Sequence, residues 1–263
     1  MKVALIPPLG WEKYFLDSTG VQMALAIENC MAHPTYVNVL KDCSAVGDFV
    51  IVDNGEAEGQ RNTNAVVTSF ALRLHASEQV LPDVMGSREQ TIGRVHEFFM
   101  SPGNYWPNMQ YMLVLQGDEF EAQSMVHWAA EFVYKGSPGG GEINPITTLG
   151  IPRNLAAMTG SSGARIDMAT WIAKHYPDKF QVHLLGAQAK WPQEVKFASK
   201  YAGDVIRSID TSLPFNYALA GVLLESGELF QGARDRLYMK GNLPRVNVRH
   251  VARNVEVYKS WAA

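Results

Sequence analysis

Cysteine is nearly absent from this chain: Cys30 and Cys43 are the only two in 263 residues. Two thiols exclude a disulfide framework and a cysteine-rich zinc site, and they argue for a reduced, cytoplasmic compartment. Long apolar runs are missing as well, and none reaches the 18 or so residues that a membrane span needs. The opening MKVALIPPLG has one Lys and a four-residue apolar run that Pro7-Pro8 interrupts. That run is too short for a signal peptide and reads as a first strand. A strong charge of one sign is lacking too. The formal net charge is −3, which taken whole does not point to nucleic acid. Its distribution is uneven, because residues 231–263 hold Arg234, Arg236, Lys240, Arg245, Arg249, Arg253 and Lys259 against Asp235 and Glu256. That segment carries +5 and the first 230 residues −8. A basic tail on an acidic body suits a phosphate backbone, and it equally suits one solvated helix face.

What the chain does have is a 47% hydrophobic composition, enough for one large core. Apolar runs of strand length alternate with segments of helical period. Strands are expected at Lys2–Pro7, Asp48–Asp53, Gln79–Asp83, Gln110–Leu115, Pro145–Gly150, Gln181–Leu185 and Val205–Ile209. Helices are expected at Thr19–Ala32, Asn64–His75, Ser87–Met100, Glu119–Tyr134, Gln193–Tyr201 and Val246–Trp261, with Asn154 or Ser161 opening others before Tyr176. Ser87 and Gln90 stand at capping-box positions. About seven β-then-α units follow with no break in composition, and repeated βα units imply a parallel sheet. A closed (β/α)8 TIM-type barrel in a single domain, 1–263 with its basic helical segment 231–263, is the first choice. A doubly wound open sheet is the second. The eighth strand is not obvious: the weak Glu228–Phe230 region is one candidate, and a missing or distorted strand is the alternative.

Polar residues gather where the strands end. Asp53 precedes Asn54-Gly55, Asp83 follows Pro82, and Gln116 precedes Gly117. The next strands end at Gly150 and, through His183, at Gly186; the last ends at Asp210. In a barrel all of these converge on one face around one pocket. Each has an ordinary explanation taken singly. Asp53 in DNG is a common turn former, Asp83 could cap the helix at Ser87, Gln116 could bind a loop, and His183 in its apolar run reads as a satisfied core histidine. Asp210 or Ser212 could cap the helix near Pro214. Their joint occurrence at successive strand exits weighs against those explanations.

Six short motifs, IVDNG (51–55), LPDVMG (81–86), LVLQG (113–117), LGIPR (149–153), HLLG (183–186) and RSIDTSLPF (207–215), occur in that order. In this the chain resembles the tRNA-guanine transglycosylase superfamily, and within it the DNA-acting (DpdA-like) branch that installs 7-deazaguanines. The resemblance spans roughly residues 50–215 and implies a TIM barrel. It implies that Asp210 is the nucleophile on the sugar C1′ and Asp53 the general acid/base. Asp83 and Gln116, with Gly117, would read the purine edge, the backbone at Gly150 would meet the exocyclic group, and His183 and Gly186 would complete the pocket. No cofactor and no metal is implied. The tRNA enzymes carry a zinc site of three cysteines and a histidine after the nucleophile, whereas no cysteine follows Cys43 here. The chain also ends soon after Asp210, leaving no room for an RNA-binding domain. Both departures favour DNA over tRNA. Glu56 and Glu58 replace the family's glycine-rich stretch and either raise neighbouring carboxyl pKa values or face solvent.

The implied partners are DNA, with tRNA as the alternative, and a free 7-deazaguanine base such as preQ0. Arg207, Arg245, Arg249 and Arg253 would contact phosphates. An accessory protein that opens the duplex and the oligomeric state are left open, and no membrane is involved. Two rivals from other classes remain: a Schiff-base lyase using Lys190, and a non-catalytic barrel that binds a purine or a protein. An Asp53/Asp210 pair argues against the second, since a binder needs no nucleophile.

Overall fold

A computed structural model describes residues 1–60, 62–136, 141–228 and 248–263. Eight strands make one parallel sheet: β1 (Lys2–Leu5), β2 (Val21–Leu25), β3 (Phe49–Asp53), β4 (Glu78–Val80), β5 (Gln110–Val114), β6 (Ile146–Pro152), β7 (Gln181–Leu185) and β8 (Ile206–Thr211). Their order is β1-β8-β7-β6-β5-β4-β3-β2, every pair parallel. The sheet curls until β1 and β2 lie side by side, which makes an α/β barrel of the (β/α)8 TIM type, nearly closed. At the seam, side chains stand in for part of the ladder. The Val3 N–H donates to Thr19 Oγ1 (2.6 Å) and the Leu5 N–H to Ser18 Oγ (3.0 Å).

The strands read as apolar runs because both faces of a barrel sheet are covered. That is also why β2 is not the helix expected over Thr19–Ala32. VQMAL is buried at all five positions, so its apolar spacing has no two-residue alternation to betray a strand. A short helix, Glu28–Ala32, occupies only the end of that segment. With β2 in place the count reaches eight without Glu228–Phe230: Glu228 is not in a strand, and residues 229–230 lie outside the described residues.

Helices follow β2 through β8 and form the outer layer: Pro34–Ala45, Asn64–Arg73, Arg88–Met100, Glu119–Glu131, Ala164–His175, Glu194–Ala202 and Leu213–Leu219. After β1 there is only a 3₁₀ turn, Glu12–Asp17. The last helix, Val248–Ala262, covers this end of the barrel, packing on β1 and on the two helices that flank β8. Its buried Val251, Asn254, Val255, Tyr258 and Ala262 recur at helical spacing on one face. Caps agree with the sequence where they are local: Ser87 Oγ accepts the Gln90 N–H, and Asp118 and Glu121 close a full capping box. Among the described residues no helix is long and apolar enough to cross a membrane. Cys30 and Cys43 are buried free thiols.

Candidate functional site

Parallel strands bring their C-terminal ends to one face, and Asp53, Asp83, Gln116, Gly186 and Asp210 all lie there. Asp210 is the next-to-last residue of β8. It is 6% exposed, and it does not cap the following helix. Instead Oδ1 accepts the Gly186 N–H at 2.8 Å and faces His183 Nε2 at 3.0 Å. Oδ2 accepts nothing from the described residues, so one oxygen is pinned and the other is left for a ligand.

His183 is fully buried, and its other ring nitrogen, Nδ1, meets Ser208 Oγ at 2.8 Å. Burial lowers its pKa, partly offset by the Asp210 carboxylate. The ring is therefore neutral near pH 7, with Nε2–H donating to Asp210 and Nδ1 accepting from the Ser208 hydroxyl. His183 is thus satisfied, as the core-histidine explanation had it, and one of its partners is Asp210.

Gly186 has φ +65, a conformation glycine adopts without strain. Its donating peptide is itself held from behind. Arg165 Nη2 donates to the Leu185 carbonyl (3.3 Å) at the other end of that peptide, and Nη1 donates to the Gly186 carbonyl (2.7 Å). Arg165 is fully buried and pairs with equally buried Glu194 at 3.1 Å. A cation at the carbonyl end polarises the peptide and strengthens its N–H toward Asp210.

A second group forms at β3, β4 and β5. Asp83, 7% exposed, accepts from Asn54 Nδ2 on Oδ1 (2.8 Å) and from Gln116 Nε2 on Oδ2 (2.6 Å). Gln116 Oε1 accepts the Gly86 N–H (2.9 Å), which fixes its amide and leaves the second Nε2–H to donate. Burial raises the Asp83 pKa to about 6, against the lowering effect of Asn54, Gln116 and Arg94. Arg94 donates to the Asp83 carbonyl (2.8 Å) and lies 3.7 Å from Glu56. Asp53 links the two groups. Its pKa is raised well above the usual range, first by burial, then by the charges of Glu58, Asp210 and Asp83. Glu58 therefore acts on the site, as one of the two sequence expectations had it.

Two glycines have local structural jobs. Gly117, at φ +90, turns the chain into the Asp118 capping box. Gly150 lies within the sheet, where its carbonyl accepts the Leu115 N–H (2.9 Å) and a Cβ would meet Leu185 Cδ1 at 2.7 Å. The expected contact of its backbone with an exocyclic group thus has its carbonyl already engaged.

The expected phosphate role of Arg207 is corrected. It sits at the opposite, N-terminal end of the barrel, where Nη2 pairs with fully buried Glu78 at 2.7 Å and Nη1 reaches Gln181 Oε1 at 2.8 Å. Its guanidinium lies over the Phe49 ring at 4.6 Å. The register between β7 and β8 skips one residue, pairing Val182 with Ile206 but His183 with Ser208. Arg207 is that bulged residue, and the bulge lets both Arg207 and Ser208 reach the interior. Arg253 is held by Glu225 (2.6 and 3.0 Å) with Glu256 beyond, an exposed ion pair that compensates its charge locally. Arg249 is exposed in the first turn of the last helix, and Arg245 lies outside the described residues, as does all of the 231–247 stretch. Lys190 is exposed, not desolvated as Schiff-base lysines are.

Sequence reasoning missed Asn54, Ser208, Arg165 and Glu194 as parts of the site. Ser208 had a signal: it stands two residues before Asp210, on the same face of β8. Asn54 was read only as a turn. Arg165 and Glu194 meet through tertiary packing and carry no local signature. Among the described residues, no three His, Cys, Asp or Glu side chains group to hold a metal. The site is thus a carboxylate-rich polar mouth on a (β/α)8 barrel. The chain matches no family model and no curated protein.

Proposed function

We propose that the protein is a base-exchanging transglycosylase that replaces guanine in DNA with a 7-deazaguanine through a covalent Asp210–sugar intermediate. The observation that carries this reading is the asymmetry of Asp210: Oδ1 is held by His183 and Gly186 while Oδ2 is unengaged by described residues. A carboxylate so oriented can attack an anomeric carbon and hold the sugar. Oδ2 forms the bond to C1′ as the C1′–N9 bond breaks, and the bonding pair leaves with the purine. The departing guanine takes a proton from Asp53, whose pKa is raised by burial and by the neighbouring carboxylates, which favours the protonated form that a general acid needs. The incoming base then returns its N9 proton to Asp53, N9 attacks C1′, and Asp210 is released. Two inversions retain the β configuration.

Recognition of guanine follows from the Asp83–Gln116 pair. An ionised Asp83 offers only acceptors, which match the adjacent N1–H and N2–H donors of guanine. The remaining Gln116 Nε2–H matches O6. Adenine presents no two adjacent donors on that edge. The target nucleotide must leave the stack to enter such a mouth.

The test is incorporation of labelled guanine or preQ0 into duplex DNA and into unmodified tRNA, with the native enzyme and Asp210→Ala in parallel. Label in DNA with the native enzyme alone is the expected result. Label in tRNA alone keeps the chemistry and replaces the substrate. No label in either, together with no guanine bound at Asp83 and Gln116 in a crystal soak, overturns the reading.

A further inference from the structure

Two of the cations expected to meet phosphate are engaged elsewhere, Arg207 by Glu78 and Arg253 by Glu225. A different element near the mouth carries unpaired positive charge. The loop after β7, which begins at Gly186 beside Asp210, leads through Lys190 and Trp191 into the helix Glu194–Ala202. Lys190, Lys196 and Lys200 are exposed, and none makes an ion pair with a described residue. The helix's own acid, Glu194, is turned inward to Arg165 and accepts from Gln188 Nε2 at 2.7 Å, which fixes the loop.

Aromatic rings run between these lysines. Phe197 is 41% exposed and Tyr201 61%. Their rings are nearly parallel, 23° apart, with centroids at 6.1 Å, and Trp191 lies 5.3 Å from Phe197. Lys200 Nζ stands 5.1 Å from the Tyr201 centroid. Lys196/Lys200 and Phe197/Tyr201 are i,i+4 pairs, each about 5–6 Å apart at Cβ, so the two rows run together along one helix face, starting at the rim.

We propose that this face, Lys190, Trp191, Lys196, Phe197, Lys200 and Tyr201, docks the nucleic-acid strand that flanks the target nucleotide. The lysines take successive phosphates, and the rings take bases by stacking, a combination that serves any base sequence. Lysine is depleted in protein–protein interfaces, so three of them interleaved with the aromatics favour a polyanion over a protein partner. The proposal rests on the reading of the substrate as a nucleic acid, but not on the base-exchange chemistry.

Fluorescence anisotropy of a short labelled single-stranded oligonucleotide, titrated between about 50 and 200 mM salt, tests it. The native protein is compared with Lys196→Gln/Lys200→Gln and with Phe197→Ala/Tyr201→Ala. The lysine pair should lower the slope of log K against log salt by about 1.4, two contacts at roughly 0.7 each. The aromatic pair should weaken binding about tenfold or more and leave the slope unchanged. Free-guanine binding, unaltered in both, certifies fold and pocket. Native affinity and slope in both variants would overturn the proposal. So would self-association of the native protein that the aromatic pair abolishes, since the face would then belong to a second copy. Oligonucleotide binding that responds as expected, in a protein that exchanges no base, would retain the docking face and refute only the chemistry.

Discussion

The two ends of the barrel use the same residue types in opposite ways. At the N-terminal end Glu78 is fully buried, yet its carboxylate receives Arg207 on both oxygens and the Thr148 hydroxyl on one. At the C-terminal end Asp83 receives two amides and Asp210 a neutral imidazole and a peptide N–H, and among the described residues neither they nor Asp53 make an ion pair with Lys or Arg. Burying a charge without a counter-ion is costly. The chain tolerates this at one end and avoids it at the other, a difference that fits a structural plug opposite the proposed reactive centre.

The comparison breaks most sharply at Asp210. Asp210→Asn keeps an Oδ1 that can accept from His183 and Gly186, but it removes the proposed nucleophile. Exchange should fall by roughly 10⁴-fold or more, as for other lost nucleophiles. Thermal unfolding should be unchanged or shifted upward, because a poorly compensated charge is gone. Labelled-guanine incorporation and calorimetry read the two effects separately, and a variant that unfolds far earlier would make Asp210 a structural residue.

At the other end the outcome should reverse. Arg207→Met leaves the buried Glu78 carboxylate without its cation and should cost about 3–5 kcal/mol in denaturant unfolding. Glu78→Met/Arg207→Met should recover much of that loss, since an apolar pair has no charge to strand. If Arg207→Met instead kept native stability and lost oligonucleotide affinity, the phosphate role would be restored.

What was legible in the sequence follows the same division. Residues whose meaning depends on their place along a strand could be read: Asp53, Gln116 and Asp210 stand out because strand exits of a parallel barrel share a face. Arg207 could not, because its partner is 129 residues away and a bulge decides which way it points. β2 was lost because a strand buried on both faces shows no alternation. Arg165 and Glu194, 29 residues apart, read as ordinary surface charges until the fold buries them.

Asp83 offers a way to sharpen the comparison through pH. Its folded value of about 6 lies above the ordinary aspartate value near 3.9. The folded state therefore binds this proton more tightly than the unfolded chain does. The stability linked to Asp83 is full below about pH 4 and is lost as pH rises through 6, about 3 kcal/mol in all. Base binding as proposed has the opposite sign, because the purine donors would need the carboxylate. Guanine affinity, followed by protein fluorescence, should fall about tenfold for each unit below 6. Asn54→Ala removes a donor to Oδ1 and should move that midpoint upward; an affinity flat from pH 5 to 8 would remove Asp83 from base recognition.

The smallest expected effect concerns the link between the ends. Arg207 Nε meets Ser208 Oγ at 3.2 Å, and Ser208 meets His183, whose other nitrogen meets Asp210. A single chain of hydrogen bonds thus runs from the plug to Asp210 along the barrel interior. Ser208 is fully buried behind His183, and its hydroxyl holds the ring in the tautomer that donates to Asp210. Ser208→Ala removes one hydrogen bond, worth about 1 kcal/mol, and leaves the Gly186 donor in place. A kcat roughly fivefold lower at unchanged KM is expected, with Ser208→Thr restoring most of it through its hydroxyl. A merely structural Ser208 would lower stability and leave kcat untouched, and the two ends of the barrel would then be independent.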